Sequence, residues 1–250
     1  MREKVAYNND LIRARNRGQV FEEIMKNTGI RRTELVENCG LAKMTISYIV
    51  NEFIEKGVIV ETVSSNELKR GRKPTNLYLS PKAKKIIGVL LARDAVTVTL
   101  CDCQLNILSV KSIQLKSYDL KTFLDRVFEL TDEMIAGREV IGIGIGSPGP
   151  VDIDKGMILN PPLWDVVKDL PVVKLFEERY HLPVYLDYHF NCAARAEKFF
   201  GAGKKYNNFI FIDFSSGAGV SIVMNGEIIT KTKSISGEFS HILVEYFGKS

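Results

Sequence analysis

Residues 42–57 read Ala-Lys-Met-Thr-Ile-Ser-Tyr-Ile-Val-Asn-Glu-Phe-Ile-Glu-Lys-Gly, and this stretch decides the fold of the first third of the chain. Ile46, Ile49, Val50, Phe53 and Ile54 fall at i, i+3, i+4, i+7 and i+8, which is one apolar stripe at helical spacing. Gly57 stops the helix, because a glycine takes the left-handed conformation that ends one. Lys43, Ser47, Tyr48 and Asn51 fall on the opposite face. Upstream, Val20, Phe21, Ile24 and Met25 recur at helical spacing, and a break follows at Asn27-Thr28-Gly29. Thr33 is expected to cap a short helix running to about Asn38, with Gly40 ending it. A short helix, a glycine turn and a longer helix make a helix-turn-helix. The second helix is expected to enter the DNA major groove by its N-terminal residues, here Ala42, Lys43, Met44, Thr45, Ser47 and Tyr48. They offer a cation for phosphate or guanine, hydroxyls for phosphate and apolar groups for thymine methyls.

Strands are expected at Val58–Val60 and Leu77–Leu79, with Lys69-Arg70-Gly71-Arg72-Lys73-Pro74 in the loop between them. Two strands around a basic loop read as a wing, whose Arg70, Arg72 and Lys73 can reach phosphates or a narrow minor groove. The competing reading is a plain three-helix bundle with a charged hairpin. Charge separates the two: residues 1–85 hold 17 Lys/Arg against 10 Asp/Glu, and residues 86–250 hold 17 against 20. A basic head on a mildly acidic body favours double-stranded DNA as the partner of the head.

The 250 residues are 45% hydrophobic and 26% charged, which excludes collagen, a disordered tail and a small disulfide scaffold. Cys39, Cys101, Cys103 and Cys192 are too few and too irregular for a disulfide framework or a four-ligand zinc site. There is no apolar run of about 18 residues and no signal-like start, so a cytoplasmic location away from membranes is expected.

A second segment is expected to begin near Pro81. Strand-like runs at Ile86–Leu91, Ala95–Cys101 and Ile107–Leu115 precede a helix over Leu120–Ile135. Then come a strand at Val140–Ile145, a loop through Ser147-Pro148-Gly149-Pro150, a helix at Val172–Tyr180, a strand at Val184–Leu186 and a helix at Cys192–Phe199. This is an α/β plan. After Gly203 the opening recurs, with strands expected at Phe209–Asp213, Val220–Val223 and Ile228–Thr230. The order predicts a two-lobed body with a cleft, and a second lobe that stops at Ser250 before any covering helix. The expected divisions are residues 1–80, 81–203 and 204–250.

Over nearly its whole length the chain resembles the ROK family of repressors, open reading frames and sugar kinases. In the head the resemblance rests on Asn16-Arg17, Arg32-Thr33-Glu34-Leu35, Gly40-Leu41, Thr45-Ile46-Ser47 and Gly71-Arg72-Lys73-Pro74. In the body it rests on Gly146-Ser147-Pro148-Gly149-Pro150-Val151-Asp152, Trp164, Asn191, Gly201-Ala202-Gly203, Asn225-Gly226 and Ser236-Gly237-Glu238-Phe239-Ser240-His241. The resemblance is to the transcriptional-repressor branch, of the xylose and N-acetylglucosamine type. It implies a winged helix-turn-helix followed by an actin-like, RNase H-like ATPase fold. It adds Arg32 and Thr33 to the DNA-contacting set and places Gly149, Tyr188, His189, Asn191, Glu238 and His241 around a sugar or sugar-phosphate effector.

Family kinases hold ATP phosphates on two glycine-bearing hairpins and take the sugar proton with an Asp. At the first hairpin this chain has Leu90-Leu91-Ala92-Arg93-Asp94, without the pattern's glycines. The second, Asp213-Phe214-Ser215-Ser216-Gly217-Ala218-Gly219, retains glycines that also suit a tight turn. His189 stands where the resemblance implies the catalytic Asp. The Cys run that binds the family's zinc is absent after His241, so neither metal nor cofactor is expected. The implied function is a non-enzymatic, sugar-responsive repressor acting as a homodimer. The alternatives are a ROK sugar kinase with an appended head, and a DNA-binding dimer with a silent sensor.

Overall fold

Helices α1 (Asn9–Lys26), α2 (Arg32–Cys39) and α3 (Lys43–Glu55) are followed by a hairpin of β1 (Ile59–Val63) and β2 (Thr75–Leu79). The structure is a computed structural model and describes residues 9–63, 75–80, 84–116, 118–214 and 218–230. The chain divides into two units, residues 1–85 with 102–106, and residues 86–101 with 107–250.

In the first unit the apolar stripe does what its spacing dictates. Ile46, Ile49 and Val50 are buried against Val20 and Ile24 of α1, Leu35 and Cys39 of α2, and Ile59, Leu77 and Leu79 of the hairpin. Each such burial stabilises by about 1.5–3 kcal/mol relative to exposure. Gly40 and Gly57 adopt φ of +63° and +68° and end α2 and α3, as their positions predict. At Gly29 (φ +84°) a Cβ would meet the Tyr78 hydroxyl at 3.1 Å. The glycine lets its own N–H donate to the Leu77 carbonyl (3.0 Å), while Leu77 N–H donates to Ile30 (2.9 Å). The break before α2 therefore pairs with the wing hairpin.

One expectation for the first unit is corrected. Thr33 does not cap α2. The N-cap is Arg31, whose backbone N–H donates to the Glu34 carboxylate at 2.7 Å, and Thr33 lies exposed in the first turn. Glutamate three residues inside a helix start is well placed for this bond, which moves the start ahead of the threonine. α1 begins at Asn9, well before the Val20 stripe.

The second unit opens with the meander β3 (Lys85–Leu91), β4 (Ala95–Cys101) and β5 (Ile107–Gln114). Then follow α4 (Leu120–Ile135), β6 (Val140–Ser147), the short hairpin β7 (Val151–Asp152) and β8 (Met157–Ile158), α5 (Val172–Tyr180), β9 (Val184–Tyr188) and α6 (His189–Phe200). The sheet order is β5-β4-β3-β6-β9, with β6 and β9 parallel. Ile87, Val89 and Leu91 of β3 and Val96, Val98 and Leu100 of β4 alternate inward. They share a core with Phe123, Val127, Leu130 and Met134 of α4. Asp119 caps α4 by accepting from Thr122 N–H at 2.7 Å. A second meander, β10 (Phe209–Phe214), β11 (Ala218–Met224) and β12 (Glu227–Ile228), repeats the opening pattern. β6 and β9 each run two residues past their expected ends, because Ser147 and Tyr188 pair across the parallel ladder. α6 starts at His189 rather than Cys192.

Candidate nucleic-acid interface and effector site

Burying Ile46, Ile49 and Val50 turns the other side of α3 outward. Lys43 is exposed at its first residue, Met44 and Tyr48 are 84% and 66% exposed, and Thr45 and Ser47 are half-buried. Large apolar side chains so exposed are unusual on a packed helix and suit contact with another surface. The N-cap Ala42 supplies no side-chain bond, and the first turn carries no acid. The positive end of the α3 dipole is thus left uncompensated by a side chain. Arg13, Asn16 and Arg17 of α1 join Met44, Thr45 and Tyr48 in lining one concavity. Arg17 donates to Glu52 of α3 at 2.8 Å, which ties α1 to α3. Sequence reasoning did not assign Arg13 and Asn16 to the interface. Their signal was Asn16-Arg17 ahead of the apolar stripe.

Arg32 is committed within the head. Its Nε and NH2 donate to the two Glu61 oxygens at 3.0 Å each, and NH2 also donates to Asn51 Oδ1 at 2.9 Å. Arg70, Arg72 and Lys73 lie outside the described residues.

In the second unit, Gly149, Tyr188, His189 and Asn191 belong to the segments that leave the C-terminal ends of β6 and β9. Ligands of open α/β sheets bind at such ends. His189 is half-buried, and its Nδ1 lies 2.9 Å from the Ser147 carbonyl, so that nitrogen carries the proton. Tyr188 is only 4% exposed, and its ring meets those of His189 and Phe190 with centroids 4.9 and 5.2 Å away. Asn191 is buried and has both amide groups occupied. Its Nδ2 donates to Asp187 at 3.0 Å, and its Oδ1 accepts from Ser221 Oγ of β11 at 2.8 Å. Asp187 also accepts from Tyr188 N–H (2.7 Å) and from Arg195 (3.3 Å). Asp187 and Ser221 were not foreseen; the role of Ser221 depends on a contact 30 residues away in sequence, whereas Asp187 lies four residues from Asn191, a spacing that offered a signal. Cys192, next in α6, has its thiol pushed up to about 11, mainly by burial and then by the nearby Asp187 charge. Glu238 and His241 lie outside the described residues.

The two hairpins that the resemblance sets against the kinase phosphate loops differ in character. The β3–β4 turn is closed by Ala92 N–H donating to Ala95 O at 2.9 Å. The Tyr118 hydroxyl donates to the Arg93 carbonyl and accepts from Trp164 Nε1 at 2.8 Å. At the second hairpin Gly219 is a packing glycine. A Cβ there would fall 1.8 Å from Cε2 of Phe190. Among the described residues, no group of three or more His, Cys, Asp or Glu is placed to hold a metal ion, and no helix is long and apolar enough to cross a membrane.

The ROK family model matches residues 86–250. The chain belongs to the ROK family. A winged helix-turn-helix DNA-binding model matches residues 13–60, the segment holding α1 to α3. The chain is 28% identical over 239 residues to the xylose repressor of Bacillus subtilis strain 168, covering 93% of this chain and 61% of that protein. It is 28% identical over 247 residues to the DNA-binding transcriptional dual regulator NagC of Escherichia coli K12, covering 97% and 60% respectively. The chain thus spans about three fifths of the length of these curated relatives. Among solved structures, a ROK family transcriptional regulator described as a homologue of the E. coli MLC protein matches with a TM-score of 0.80 at 27% identity, over 95% of this chain and 61% of that one. A ROK family glucokinase from Streptomyces griseus, solved with glucose and AMPPNP, matches with a TM-score of 0.59 at 27% identity, over 64% and 51%. The winged helix-turn-helix head and mixed α/β ROK body are thus shared with a regulator over nearly the whole chain.

Proposed function

We propose that the chain is the DNA-binding and effector-sensing part of a sugar-responsive transcriptional repressor that acts on double-stranded operator DNA as a homodimer. The observation that carries this is the outward face of α3, where Lys43, Met44 and Tyr48 stand exposed over a buried stripe, with Arg13 and Asn16 of α1 beside them. Lys43, Thr45, Ser47 and Tyr48 offer phosphate and base-edge contacts, and Met44 an apolar one for a thymine methyl. The wing residues Arg70, Arg72 and Lys73 add cations, and Thr33 adds a hydroxyl at the start of α2. Two copies would read half-sites about 34–36 Å apart, or a multiple of that.

The effector would occupy the strand ends at Gly149, Tyr188 and His189, together with Glu238 and His241. A sugar there bears directly on the start of α6. Phe190 packs on Gly219, and Asn191 bonds Ser221, so a displacement of α6 passes to β11. Effector binding then shifts a two-state body and the spacing of the paired heads. Catalysis of sugar phosphorylation does not belong to this reading. His189 has its Nδ1 engaged with Ser147, the first phosphate hairpin carries Arg93 in place of glycine, and Gly219 has a packing role.

Selection of duplexes from a random pool by the purified chain tests the DNA-binding half. Enrichment of an inverted repeat with helical-turn spacing is expected, and a pool that stays random refutes it. ATP turnover with hexoses would restore the kinase reading.

A further inference from the structure

The carboxylate of Glu61, on β1, gathers three other elements of the head. Arg32 of α2 binds it through two nitrogens at 3.0 Å, and Thr75 Oγ1 of β2 donates to it at 2.6 Å. The same guanidinium donates to Asn51 Oδ1 of α3 at 2.9 Å. A guanidinium has only donors, so the Asn51 atom facing it must be the oxygen. Asn51 lies two turns along α3 from Lys43, on the same face as Lys43 and Ser47.

We propose that Glu61 is a specificity-determining residue of the DNA-binding head. It holds Arg32 against Asn51, so that the amide is fixed in one orientation with its oxygen turned to Arg32, and it withholds the Arg32 charge from the phosphates. The inference rests on the DNA-binding reading above. An asparagine with both amide groups available reads adenine by donating to N7 and accepting from N6. With one lone pair of its oxygen bound to Arg32, Asn51 in this orientation favours donation by its NH2, to guanine O6 or N7, thymine O4 or a phosphate oxygen. The Arg32–Glu61 pair is formally neutral, so the pair adds no attraction to the backbone. Its side chains are about a quarter exposed, at 27% and 26%. A phosphate can therefore compete for the guanidinium once the carboxylate is gone.

The experiment compares wild type and Glu61→Gln, as full chains, by fluorescence anisotropy on a duplex from the chain's own upstream region and on a scrambled duplex of the same composition, from about 50 to 200 mM salt. Glutamine keeps the shape of the side chain and removes its charge. The expected result is tighter binding to the scrambled duplex with a log–log salt slope steeper by about 0.9, the increment of one phosphate contact. The upstream-to-scrambled affinity ratio should fall by about tenfold, the size of one lost base contact. Glu61→Asp, which keeps the charge, should retain the wild-type slope. In Arg32→Gln/Glu61→Gln the added slope should disappear, because the cation that Glu61→Gln sets free is Arg32. Unchanged slope and ratio in Glu61→Gln, equal weakening on both duplexes, or the same steepening in Glu61→Asp would each overturn the inference. Wild type that binds neither duplex would instead refute the DNA-binding reading and this inference with it.

Discussion

Replacing Gly219 by alanine probes the clasp between α6 and the second meander. The added Cβ would lie 1.8 Å from Phe190 Cε2 and 2.2 Å from both Cδ2 and Cζ. These are ring atoms of a side chain only 7% exposed, not the loose end of a flexible one. The ring cannot swing clear without disturbing its neighbours, since its centroid is 4.0 Å from that of His189 and 5.2 Å from that of Tyr188. Overpacking of this kind costs about 1–3 kcal/mol. At about 2 kcal/mol the melting temperature of a unit this size drops by about 4–8 °C. Differential scanning calorimetry of wild type, Gly219→Ala, Phe190→Leu and the double variant measures it. If the overlap is real, the double variant is more stable than the sum of the single effects, because leucine vacates the space the new methyl needs. A melting temperature in Gly219→Ala within about a degree of wild type, against the expected drop, would refute it, and would return this glycine to a turn or phosphate role.

The same geometry sets other outcomes. Arg13→Ala should flatten the salt slope of DNA binding by about 0.9 while weakening upstream and scrambled duplexes alike, as loss of one phosphate contact would; an unchanged slope removes α1 from the interface. Asn191→Ala strands the Ser221 hydroxyl and takes one of two donors from Asp187 Oδ1, which keeps the Tyr188 N–H. A loss of about 1–3 kcal/mol is expected in chemical denaturation, and Ser221→Ala added to it should cost less than it does alone. Full additivity of the two would break the proposed link. Cys192, with its thiol pushed up to about 11, should resist alkylation at pH 8 in the folded chain and react once denaturant is added. Only the thiolate attacks, and raising the pH towards 11 should speed labelling; rapid native labelling at pH 8 would contradict the burial.

Much of the fold could be read because periodicity and burial are the same fact seen twice. The α3 stripe, the β3–β4 alternation and the α4 face at Phe123, Val127 and Leu130 all face the cores that their spacing demands. Boundaries set by polar bonds were harder to read. The start of α2 depends on Glu34 reaching back to Arg31, and the last residues of β6 and β9 depend on a parallel partner distant in sequence. The first half of α1 carries Arg13, Arg15 and Arg17 rather than an apolar stripe, so its helix is anchored by the Val20 and Ile24 half that packs into the core. Of the site, His189 and Asn191 were placed together by resemblance. The bonds that define them, to Ser147 and Ser221, join residues 42 and 30 positions apart and leave no local trace. The reason for Gly219 likewise lies in Phe190, on another element.

One titration reads DNA recognition and effector sensing at once. It is fluorescence anisotropy of the chain on its own upstream duplex, at two salt concentrations and against a panel of sugars and sugar phosphates. A sugar-responsive repressor binds that duplex sequence-specifically and is released by one sugar or sugar phosphate. Binding indifferent to sequence, or specific binding that no member of the panel alters, would contradict this assignment.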